Sequence, residues 1–112
     1  MVNLVLNCGE FEKCQEDRID RSIYGHPGVQ YIFSFANGYG ASVIKRSGSY
    51  GYNEDLWELA VLDSDGELTY DTPITNDVLG YLTDEEVRET LADIRELPED
   101  ENYGKPTAPE RH

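Results

Sequence analysis

The chain has 112 residues, 38% of them hydrophobic, with 23 Asp plus Glu against 9 Lys plus Arg, a formal net charge of −14 at pH 7. That length fits one domain with a modest core, and the hydrophobic share is too high for a wholly disordered chain. No apolar run approaches the roughly 18 residues of a membrane span, and Met1–Leu6 lacks the basic leader of a secretory signal. The charge argues against nucleic acid or an anionic membrane as a direct partner, because both are polyanions.

Val2, Leu4 and Leu6 alternate with Asn3, Val5 and Asn7, which predicts a short strand ending near Cys8-Gly9. Residues 10–22 are charged and weakly periodic, with Phe11, Cys14 and Ile19 able to line one side of a short helix. Gly25-His26-Pro27-Gly28 is a break. Residues 29–36 read as a strand with Val29, Tyr31, Phe33 and Phe35 on one face and Gln30, Ile32, Ser34 and Ala36 on the other. Asn37-Gly38 predicts a type I′ hairpin, and residues 39–46 return as the second strand, Ala41 and Val43 alternating with Ser42 and Ile44.

Residues 47–53 form a Gly/Ser/Tyr loop. Residues 56–62 are a third strand with Trp57, Leu59 and Val61 on one face, Asp63-Ser64-Asp65-Gly66 is a turn, and residues 67–71 make a short fourth strand. Ile74, Val78, Leu79 and Leu82 suggest one short helical turn interrupted by Gly80. Thr83-Asp84-Glu85-Glu86 is a capping box with Leu82 and Val87 at the staple positions. Val87, Leu91 and Ile94 then follow helical spacing and Pro98 closes a helix over about 84–96. The expected fold is a single α+β domain over 1–97, an antiparallel meander of three to four strands packed by a C-terminal helix, with a flexible, acidic, proline-containing tail over 98–112.

Candidate chemistry is sparse. Cys8 and Cys14 are too few for a disulfide framework and read as reduced thiols, though a local bridge stays open. A zinc site would need two further ligands, and only His26 and His112 are available. Asp63–Gly66 fails the calcium-loop pattern: with Gly66 at position six, Val61 and Thr72 fall where acids belong. His26 sits in a Gly-Pro turn without a nucleophile signature, and the glycine-rich stretches lack the Gly-Lys-Ser/Thr ending of a phosphate loop. No enzyme activity, metal or cofactor is expected.

The charge is unevenly spread. Residues 29–52 hold two bases and no acids, residues 53–82 hold eight acids and no bases, and residues 83–112 hold ten acids and four bases. A solvated, solubilising face is one reading. The other is a carboxylate surface that imitates a phosphate backbone: the helix would carry Asp84, Glu85, Glu86, Glu89, Asp93 and Glu96 over about 18 Å, offset by Arg88 and Arg95, with Asp63, Asp65, Glu67, Asp71 and Asp77 added. Tyr50 and Tyr52 in the Gly/Ser/Tyr loop suit contact anchors, or else merely cover the sheet edge.

The stretch from Tyr31 to Leu97 resembles small acidic proteins of unknown function from tailed phages and prophages of actinobacteria, on the strength of Asn37–Ile44, Leu56–Val61 and Tyr70–Thr75. The resemblance implies a small accessory phage protein made in the host cytoplasm, and by analogy with anti-restriction and anti-CRISPR proteins it suggests an inhibitor of a host protein. The expectation is a non-catalytic binder of a basic host protein, contacting it through Tyr50, Tyr52, Glu58, Asp63, Asp65, Glu67, Glu85, Glu89 and Asp93. The alternative is a structural module that homodimerises through a sheet edge. Monomer and homodimer both stay open.

Overall fold

Strict alternation of apolar side chains decides the three central strands. β2 (Val29–Ser34), β3 (Gly40–Lys45) and β4 (Trp57–Leu62) bury Val29, Tyr31, Phe33, Ala41, Val43, Trp57, Leu59 and Val61 on one face. A computed structural model describes residues 2–70, 72–74 and 78–100. Two further strands, β1 (Gln15–Asp20) and β5 (Leu79–Leu82), flank the central three in a five-stranded antiparallel sheet of order β1-β2-β3-β4-β5. Each strand pairs with its sequence neighbours, so the sheet is a pure meander.

One helix, α1 (Asp84–Arg95), covers the apolar face. Val87, Leu91 and Ile94 are fully buried against it, each contributing about 1.5–3 kcal/mol of transfer free energy. The helix starts where the sequence predicts. The Thr83 hydroxyl accepts from the Glu86 amide at 3.1 Å, and the Glu86 carboxylate accepts from the Thr83 amide at 2.9 Å. A 3₁₀ helix, Gly9–Cys14, closes one end of the core with Phe11, which meets Phe35 edge-on at 6.2 Å. The opposite sheet face carries no helix among the described residues.

Several expected elements differ. Residues 2–8 are not a strand. Their backbone groups bond to side chains instead of a ladder: the Leu6 amide donates to the Tyr31 hydroxyl, Asn3 N to Asp55 and Asn7 N to Asp84, while Tyr31 donates to Leu4 O and Arg88 to Asn7 O. The expected helix within 10–22 is the 3₁₀ helix followed by edge strand β1, whose charged residues conceal its period. The expected fourth strand at 67–71 is reduced to a single bridge, Leu62 to Leu68, with Asp71 outside the described residues. The true fifth strand lies at Leu79–Leu82, where a helical turn was expected. There Tyr81 takes a φ of 60°, and a Cβ on Gly80 would come within 2.5 Å of Tyr50 Cβ.

The Asn37-Gly38 hairpin is real but is not type I′, since Gly38 has a φ of 92° and Asn37 is not left-handed. Gly38 N donates to Phe35 O and Phe35 N to Tyr39 O, giving a three-residue loop. Asn37 is freed to cap the far end of α1: its amide donates to Ile94 O at 2.9 Å and Leu97 O at 3.0 Å. Residues 98–100, expected to begin the tail, stay on the body. Asp100 is buried, with its amide on Asn37 O and its carboxylate on the Ser64 amide. Residues 101–112, the rest of that tail, lie outside the described residues.

Candidate functional site

A buried polar cluster fixes α1 on the sheet. Trp57, on β4, donates its indole N–H to Asp84 Oδ1 at 2.7 Å, while Asp84 Oδ2 accepts from the Asn7 amide at 3.2 Å. Lys45 Nζ lies 4.1 Å from the Trp57 ring centroid and bonds Asp55 Oδ1 and Asn3 O, both at 2.8 Å. Tyr31 meets Trp57 edge-on at 5.8 Å. Burial pushes the Asp55 carboxyl up, but the bonds from Lys45 and the Asn3 amide outweigh it and hold the group below the usual carboxylate range. These charges are structural: every one is matched within the fold.

The helix acids divide accordingly. Asp84 and Glu86 serve the Trp57 contact and the capping box. Glu85, Glu89, Asp93 and Glu96 are exposed and have no hydrogen-bond or ion-pair partner among the described residues. At 3.6 residues per turn they fall within about 80° of the helix circumference, opposite the stripe of Val87, Leu91 and Ile94. The two arginines stand on the flank. Arg88 donates to Asn7 O at 2.7 Å, and Arg95 bonds Glu10 at 3.0 Å while lying 4.7 Å over the Phe11 ring. Neither cation dilutes the stripe.

The other candidate residues fall elsewhere. Asp63 builds its own turn, Oδ1 accepting from the Asp65 and Glu67 amides at 2.9 and 3.1 Å. Asp65 and Glu67 are exposed, while Asp71 and Asp77 lie outside the described residues. Through Asp100 and Asn37 this turn is tied to the C-terminal end of α1, the end where Asp93 and Glu96 stand. Glu58 alternates with Trp57 and Leu59 and therefore stands on the open sheet face, opposite the helix. Its carboxylate accepts from the Tyr50 amide at 2.8 Å. Tyr50 is 58% exposed and stacks on Tyr81 at 6.5 Å. Tyr52 is half-buried, its hydroxyl donating to Pro27 O at 2.8 Å. The nine residues thus do not form one surface. Glu85, Glu89 and Asp93 share the helix stripe with Glu96, and Glu58 and Tyr50 belong to the other side of the sheet.

That open face holds a groove of about 590 Å³. Its floor is Ile32, Ile44, Ala60 and Leu62, and Arg21 and Arg46 stand at one end. Strand alternation in β3 already put Ile44, and hence Arg46, on this face. Arg21 was hidden because β1 does not read as a strand.

Among the described residues, no group of three or more His, Cys, Asp or Glu side chains could hold a metal ion. Both cysteines are free thiols, and burial pushes the Cys8 thiol up, away from the reactive thiolate. No helix among the described residues is long and apolar enough to cross a membrane. No protein-family model, curated protein or solved structure matches the chain.

Proposed function

We propose that this protein is a non-catalytic, phage-encoded accessory protein that binds and inhibits a basic host protein of nucleic-acid handling or defence, in the host cytoplasm, through the outer face of α1. One observation carries the reading. Four exposed carboxylates stand in line on that face while both arginines of the helix are held on its flank. The arrangement works against helix stability, because the Glu85–Glu89 and Glu89–Asp93 pairs each cost about 0.2–0.5 kcal/mol in like-charge repulsion. A coat serving solubility alone gains nothing from such segregation.

The stripe has roughly one charge per 5–6 Å of helix axis, against about 3.4 Å per phosphate on one DNA strand. A cationic groove shaped for phosphates would meet it with fast, salt-sensitive association. The phage setting rests on the sequence resemblance over Tyr31–Leu97. Homodimerisation through a sheet edge has less support: edge strand β1 carries Glu16, Asp17, Arg18 and Asp20 and a bulge between Gln15 and Asp17, features that discourage strand addition.

The test is affinity capture from an actinobacterial lysate at low and high salt, comparing the native protein with the E85K/E89K/D93K/E96K variant. A basic protein captured at low salt should be lost both at high salt and with the variant. Equal capture by the folded variant would refute the reading.

A further inference from the structure

The groove on the open sheet face is a separate feature, and its charge is opposite to that of the rest of the molecule. Arg21 on the β1 side and Arg46 at the end of β3 flank Gly28, which bonds Arg21 N through its carbonyl at 2.9 Å. A Cβ at Gly28 would lie 2.7 Å from Arg46 Cβ and 2.8 Å from Arg21 O. No side chain therefore fits at position 28, and Arg21 and Arg46 are its neighbours on the two adjoining segments. Gln30 orients Arg21, its Oε1 accepting from Nε at 2.9 Å and from a terminal nitrogen at 2.7 Å, and Ser42 in turn holds Gln30 at 2.7 Å. The Arg46 guanidinium has no partner among the described residues. Beyond them Ile32, Ile44, Ala60 and Leu62 line the groove, with Ser42 between Ile32 and Ala60.

We infer that this groove binds a small amphiphilic anion, an aliphatic chain ending in a carboxylate. The head would lie between Arg21 and Arg46 over Gly28, where two guanidiniums offer charge-assisted hydrogen bonds. The chain would run along Ile44 and Ile32 toward Ala60 and Leu62. The volume lies within the roughly 300–1,000 Å³ of small-ligand sites. A small ligand suits the field better than an acidic macromolecule. The charged groups lining the groove are Arg21, Arg46 and Glu58, with Asp17 on the same face opposite Ile32, and acids more than about 8 Å away are screened at physiological salt. A large polyanion would face the other carboxylates as well. Glu58 is the opposing charge, paired in register with Ile44 and held by the Tyr50 amide.

The experiment is titration of the full chain with decanoate, below its micelle concentration, followed by amide chemical shifts. Decanol and acetate serve as the chain-only and head-only probes. Decanoate should shift Gly28, Ile32, Ile44, Ala60 and Leu62 and leave α1 unmoved. Arg46→Gln should weaken it about tenfold and R21Q/R46Q by more, whereas Glu58→Gln should tighten it. Decanol should bind weakly and ignore all these changes, and acetate should not bind measurably. The E85K/E89K/D93K/E96K variant should bind decanoate as the native protein does, which separates this site from the helix stripe. Decanoate shifts absent from the groove, or an affinity unchanged in R21Q/R46Q, would overturn the proposal.

Discussion

Asp55→Asn should cost more stability than Lys45→Met, although the two residues form one ion pair. Lys45 Nζ and Asp55 Oδ1 are 2.8 Å apart, and their side chains are 2% and 42% exposed. Removing one partner of a fully buried pair costs about 3–5 kcal/mol. In Asp55→Asn the ammonium stays buried with only Asn3 O, a neutral amide and the Trp57 ring, so the cost should approach about 2–3 kcal/mol, the exposed side of Asp55 lowering it. In Lys45→Met the apolar stem is kept and the stranded carboxylate is hydrated and still holds Asn3 N, so the cost should be about 0–1 kcal/mol. The double variant should track Lys45→Met.

Urea unfolding followed by circular dichroism, with Trp57 fluorescence as a second probe, reads the difference. At an m-value of about 1–3 kcal/mol/M, Asp55→Asn should move the midpoint down by roughly 0.7–3 M. Asp55 titrates below its ordinary value of 3.8 in the folded state. Its contribution is therefore complete above that ordinary value and lost as pH falls through the lower folded one. The stability gap between native protein and Asp55→Asn should accordingly close below about pH 4. A Lys45→Met variant as unstable as Asp55→Asn would refute the asymmetry.

Thr83→Ala removes the capping-box hydroxyl and should cost about 1 kcal/mol in the same urea assay. Asn37→Ala leaves the Ile94 and Leu97 carbonyls without their amide donor and should cost about 1–2 kcal/mol, with hydrogen exchange rising first in the last turn of α1. Gly40→Ala places a Cβ 2.3 Å from Phe33 O, so β2 and β3 must part locally and the thermal midpoint should fall by several degrees, about 4 °C or more. Glu89→Lys converts two repulsive i,i+4 pairs into attractive ones, so it should stabilise the fold by about 0.8–2 kcal/mol while weakening partner capture. A variant both less stable and fully binding would contradict both halves of that expectation.

Local rules made much of the fold legible. Period-2 alternation placed Tyr31, Phe33, Val43, Trp57 and Leu59 on one face, and Thr83-Asp84-Glu85-Glu86 with the Val87, Leu91, Ile94 spacing placed the helix within a residue of its observed ends. The helix stripe was likewise visible, because i, i+4 spacing needs no tertiary information. Edge strands β1 and β5 were not visible. β1 is polar on both faces, and β5 is four residues long and interrupted by Gly80, so neither carries a period that outweighs its charges or its glycine.

The roles of individual charges were decided by packing. Alternation with Ala41 and Val43 already puts Lys45 on the core face, but only packing shows that Asp55 and Trp57 enclose it there. Asp84 looks like one more helix acid, yet the indole of Trp57 claims it, while Arg88 and Arg95 are drawn to the N-terminal segment and leave four acids unopposed. Composition and spacing by themselves determined a lopsided −14 chain with a helix over a sheet. Which carboxylates are used up inside the fold, and which two arginines flank Gly28 on its far side, only the tertiary structure decided. The physical reason is that hydrogen-bond and ion-pair partners come from residues as much as 85 positions away, a separation that no local pattern records.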